Sequence, residues 1–242
     1  MGEKLCWVPA PPAIVTEFER NMAFDSLRVV HDDGCWGSVA ALVAADGTAA
    51  HPLAQALTVS HAPLRDVADA VHGLCMLHGR YPGAIDHAVA HNRDAIAGAW
   101  LAEAASAFAE ERGYLARLTA AAGPLPSTPG QAESEAAIVA QAHALDTLAQ
   151  SGRVGCAVGA AVALILDWRG VRAVLDAAAL RLGVLPPPLG IPLDVDTGSL
   201  VATLAATPAV ERAMTFGAEQ LLAQHRGLWD LLDARKSARD RQ

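Results

Sequence analysis

Val154 to Leu166 (VGCAVGAAVALIL) is an unbroken apolar run of 13 residues, and it constrains the fold more than any other stretch. A helix that is oily on every side is stable in water only when other helices surround it. The run falls short of the roughly 17 to 25 residues that a bilayer requires, and Arg153 and Asp167 bracket it. It therefore reads as a buried core helix over about 153–183, not as a membrane span. Within it Gly155, Gly159 and Ala163 recur at every fourth position, making a shallow ridge where a neighbouring backbone can come close. Asp167 is next on that ridge. A carboxylate there has to be solvated, paired or put to use.

The remaining chain has the material to wrap such a rod. It is 52% hydrophobic but only 5% aromatic, with alanine and leucine dominating over isoleucine, tyrosine and threonine, which favours helices over strands. An all-α protein is expected, an up-and-down helical bundle in a single domain of 242 residues, large enough to bury its core without disulfides. The net charge of −8 and the lack of a basic stripe argue against nucleic acid as a partner. The start of the chain carries one lysine and no long apolar stretch before a small-residue cleavage site, so it does not read as a secretory signal. Cys6, Cys35, Cys75 and Cys156 are scattered without CxxC spacing, as in a reducing compartment. The expectation is a soluble cytoplasmic protein; homo-oligomerisation stays open.

Taken in order, Thr16 and Glu19 form a capping box for a helix to about His31. Short pieces follow at Cys35 to Ala45 and from His51-Pro52 to about Ser60, so that 13–60 reads as cover for the bundle. Four long helices are predicted at roughly 62–78, 84–122, 129–150 and 153–183, the second broken near Asn92 because forty residues is long for a globular helix. Their seams are Leu64, Val67, Val71, Leu74; Ala97, Leu101, Ala104, Phe108, Leu115, Leu118; and Ile138, Leu145, Leu148. Thr128 as cap with Pro129 at the first helical position starts the third. The prolines of 184–195 make an extended connector, Asp196 is placed as the cap of a short helix to Ala205, and Thr207-Pro208 opens the last helix, 208–235. Its seam is Met214, Ala218, Leu221, Leu228 and Leu232, and the mixed-charge tail from Ala234 is expected to fray.

Ionisable residues interrupt or border these seams on four different helices: His78, Glu111, Asp167 and His225. Bundles build metal sites from inward side chains on facing helices, and two imidazoles with two carboxylates suit iron, manganese or zinc. No Glu-x-x-His occurs, so the mark of di-iron bundles is missing. The structural alternative pairs Glu111 and Asp167 with arginines such as Arg80, Arg112 or Arg169 and leaves both histidines hydrogen-bonded at the core edge. His87 and His91, four apart, read as a solvated pair, Asp69 as an exposed carboxylate, Cys75 as an inert core thiol, and Arg172 with Asp176 as an i, i+4 pair.

Two functions fit these residues. One is a metal-binding bundle doing redox or hydrolytic chemistry with His78, Glu111, Asp167 and His225 as ligands. The other is a non-catalytic helical protein, either a small apolar-ligand binder or an interaction module whose polar seam residues set packing register. Neither a substrate nor a reaction is legible.

Overall fold

Apolar periodicity and punctuation by proline and glycine divide the chain into helices, and the computed structural model, which describes residues 34–125 and 130–241, has no strand among them. The elements are α1 (Gly34–Asp46), a one-turn 3-10 helix (Thr48–Ala50), α2 (Pro52–Leu57), α3 (Leu64–His78), α4 (Ala84–His91), α5 (Ala95–Ala122), α6 (Gln131–Ala149), α7 (Cys156–Leu182), α8 (Asp194–Leu204) and α9 (Pro208–Asp240). The molecule is an all-α helical bundle. The Thr16–Glu19 capping box and the Thr128-Pro129 start lie outside the described residues.

The oily run sits where its composition requires. α7 packs against α1 to α6 and most extensively against α9. From Val158 to Ile165 every side chain of it is buried. The ridge explains the intimacy with α9: a Cβ on Gly159 would collide with the Met214 backbone, and one on Gly217 would collide with the Cys156 carbonyl. Two glycines, one from each helix, thus let the backbones touch. The seam residues of α5 and α9 are all buried, as the three-and-four spacing demands.

The predicted break in the second bundle helix falls at Asn92-Arg93-Asp94. Asp94 caps α5, its Oδ1 accepting from the amides of Ile96 and Ala97 at 2.8 and 2.9 Å. Thr207 caps α9 with Pro208 in its first turn. Several expectations need correction. α6 begins after Gly130, which is left-handed at φ 77°. Asp196 lies inside the first turn of α8, and Leu193 occupies the cap position. Leu64 opens the α3 seam but is 55% exposed, whereas Val67, in the same turn, is buried.

The largest correction concerns the tail. α9 does not fray at Ala234 but continues to Asp240. Arg239 bridges to Asp66 at 2.8 Å and to Asp69, Arg65 reaches Asp240 at 2.6 Å, and Lys236 pairs with Asp240 at 3.1 Å. Asp69 is buried beneath Arg239 and Arg235 rather than exposed. A helix-by-helix reading of α3 places Asp69 on the polar side; the end of α9 turns that side into an interface.

Candidate functional site

Three of the four singled-out residues meet. Asp167 on α7 is backed by the one-turn helix: its Oδ1 accepts from the Thr48 amide at 2.6 Å and its Oδ2 from the Thr48 hydroxyl at 2.7 Å. The Trp229 indole on α9 donates to that hydroxyl oxygen at 3.0 Å. On its other side the Asp167 carboxylate holds Nδ1 of His225 at 2.6 Å, and Nε2 of His225 lies 2.9 Å from Nε2 of His78 on α3. Nδ1 of His225 donates to the carboxylate, and a single proton lies between the two facing Nε2 atoms. Burial pushes the pKa of His78 well below its ordinary value, and the neighbouring His225 pushes it the same way. The chain Trp229, Thr48, Asp167, His225, His78 ties together α9, the one-turn helix, α7 and α3.

Glu111, the fourth residue, belongs to an adjoining network. Its Oε1 accepts from Arg172 at 2.6 Å and its Oε2 from the Trp168 indole at 2.9 Å. Arg172 continues to Asp176 at 3.0 Å and to the Pro187 carbonyl at 2.8 Å, fastening the proline connector to α7. The Tyr114 hydroxyl donates to Asp176 at 2.9 Å. Burial raises the pKa of Glu111 against the opposing pull of Trp168 and Arg172, and burial beside Asp176 raises that of Tyr114. The two networks meet at Trp168, whose ring stands edge-on to His78 with centroids 5.3 Å apart.

The partners differ from those the sequence suggested. Arg80 pairs with Asp146, Arg112 with Asp86 and Arg169 with Asp194, while Arg172 takes Glu111 and no arginine reaches Asp167 among the described residues. His91 Nδ1 donates to the His87 carbonyl at 2.8 Å, while Nε2 of His87 lies 3.9 Å from Asp146 on α6.

Chemically, an imidazole oriented by a carboxylate is the arrangement of a general base. Here the ring's outer nitrogen is met by a second imidazole. The recess nearest His78, walled by Phe108, Leu145 and Asp146, has a volume of about 10 Å³, at most the space of one water. As for a metal, the side chains are directed at each other, and among the described residues no group of three or more His, Cys, Asp or Glu is disposed to hold an ion.

A roomier concavity lies elsewhere. A cleft of about 410 Å³ opens between the α4–α5 connection, the approach to α7 and the junction of α8 with α9. Ala88, Ala97 and Val158 form a buried apolar floor, Leu204 and Val210 close one side, and Arg93 and Arg153 stand exposed at the rim.

The model of a protein family matches residues 43–240. The chain belongs to that family of unknown function, DUF6975. No curated protein and no solved structure matches the chain. Both buried networks, the cleft and the Arg239 clamp fall within the span the family model covers.

Sequence reasoning missed Thr48, Trp229, Arg93 and Arg153. Thr48 follows Asp46-Gly47, a plain turn signal that says nothing of a carboxylate far along the chain. Trp229 neighbours the seam residue Leu228, so it reads as core packing. The arginines sit in connections, where periodicity carries no information.

Proposed function

We propose that this protein binds a small, largely apolar molecule in the cleft between the α4–α5 connection, the start of α7 and the α8–α9 junction. The observation that carries this reading is the cleft itself: at about 410 Å³ it lies within the range of roughly 300 to 1,000 Å³ typical of small-molecule sites, with an apolar floor and a few polar groups at the rim. The buried His78, His225, Asp167 and Glu111 serve packing register in this reading. Their hydrogen bonds go to each other and to Thr48, Trp168 and Arg172, as expected of polar groups that fix how helices seat.

Titration with phenylnaphthylamine, a neutral apolar fluorophore, tests the reading. Saturable binding at one site per chain is expected, weakened at least about tenfold by Ala157→Leu. Ala157 is a half-buried wall of the cleft, and a leucine there occupies its volume. Non-saturable fluorescence, or unchanged binding in a folded Ala157→Leu protein, would overturn it.

A further inference from the structure

Many arginines among the described residues are held by carboxylates. Arg80, Arg112, Arg169, Arg172 and Arg239 each hold a carboxylate. Arg93 and Arg153 do not: among the described residues neither forms an ion pair, though the chain carries 26 acidic residues to 18 basic ones. Both line the same cleft. Arg153 is further held in place, its guanidinium lying 5.3 Å from the centre of the Phe216 ring. The one carboxylate at the rim, Asp94, is engaged as the cap of α5 through the amides of Ile96 and Ala97. The charged side chains, two arginines against one aspartate, therefore leave the cleft with an excess of positive charge above an apolar floor.

We infer that the ligand is an amphipathic organic anion, with its apolar body against Ala97 and Val158 and its carboxylate, sulfonate or similar head between Arg93 and Arg153. Guanidinium groups recognise such heads by charge-assisted hydrogen bonds, and the two residues line the cleft from separate connections, so a head can be approached from two sides. Because both are exposed, the attraction is screened by salt. The inference rests on the cleft being a binding site, and the experiment separates failure of the two.

Anilinonaphthalenesulfonate and phenylnaphthylamine share an aromatic body and differ by a sulfonate. In native protein at low salt the sulfonate is expected to bind about tenfold tighter or more than the neutral probe. Replacing both arginines, Arg93→Gln with Arg153→Gln, should lower the sulfonate affinity until the two affinities come together, and high salt should narrow the same gap. Both positions are exposed, so the double variant is expected to fold, as near-ultraviolet circular dichroism would verify. Equal affinities in the parent protein, both reduced by Ala157→Leu, would overturn the anion preference and leave the cleft standing. Saturable binding of neither probe would overturn both. A sulfonate preference that survives the double glutamine variant would refute the assignment to Arg93 and Arg153.

Discussion

At the scale of single residues, the contact between two imidazoles sets how the fold responds to acid. His78 takes a proton in the folded state only at a pH well below the ordinary histidine value near 6.5, because it is buried and faces His225. In the unfolded chain it titrates normally. The unfolded state thus binds more protons in this range, so stability is fully present above about pH 6.5 and is lost as pH falls from there toward the folded value, by up to about 1.4 kcal/mol per pH unit. Urea midpoints measured from about pH 7 to about pH 5 should fall for the parent and flatten in His78→Gln, which removes the titrating ring. Equal slopes in the two proteins would show that other groups set the acid response. The same geometry bears on metal content. With Nε2 of each histidine turned on the other and His225 Nδ1 on Asp167, untagged protein is expected to contain less than stoichiometric iron, manganese or zinc and to keep its Tm in chelator. A stoichiometric ion lost on His78→Ala would restore the metal reading.

Among the helices, the α7–α9 contact shows what periodicity can and cannot say. The Gly155, Gly159, Ala163 ridge announces a close approach, and the approach is found; the spacing names no partner, which the reciprocal Gly217 supplies. On helix propensity alone, Gly159→Ala should stabilise by about 1 kcal/mol. The Met214 backbone leaves no room for the added carbon, so the variant is expected to lose about 1 to 3 kcal/mol in urea unfolding, opposite in sign to the propensity effect. A stabilised variant would mean that the helices separate without cost. Seams were legible for the same reason as the ridge: each repeats within one helix. His225, Glu111, Phe108 and Leu115 are buried on those seams. What was not legible depends on other helices. Asp69 looks exposed on its own helix and is covered by Arg239, while the α9 tail looks frayed by composition and is fixed by Asp66 and Asp69. The singled-out quartet was legible as a set of inward polar residues. Its division into an Asp167–His225–His78 chain and a Glu111–Arg172 pair was not, since Thr48 and Arg172 decide it from outside any seam.

For the whole bundle, the buried network and the proposed binding cleft lie at different places along one helix. Asp167, the anchor of the histidine chain, and Ala157, a wall of the cleft, are about 15 Å apart along α7 at about 1.5 Å per residue. They share no hydrogen-bond partner, so their effects should be independent. Asp167→Ala strands the His225 and Thr48 donors in the core and is expected to cost about 3 to 5 kcal/mol in urea unfolding, while sulfonate affinity at temperatures where the variant is folded stays within about twofold. Ala157→Leu should do the reverse, weakening binding at least about tenfold with stability changed by no more than about 1 kcal/mol, since half-buried Ala157 faces the open cleft. Ligand should then raise the Tm of the parent and of Asp167→Ala by comparable free energies, because a molecule that binds only the folded state adds the same stabilisation to either at a given ratio of concentration to Kd. A binding defect in Asp167→Ala, beyond what its unfolded fraction explains, would show that the buried chain shapes the cleft. The register network and the binding site would then have to be understood as one device running the length of α7.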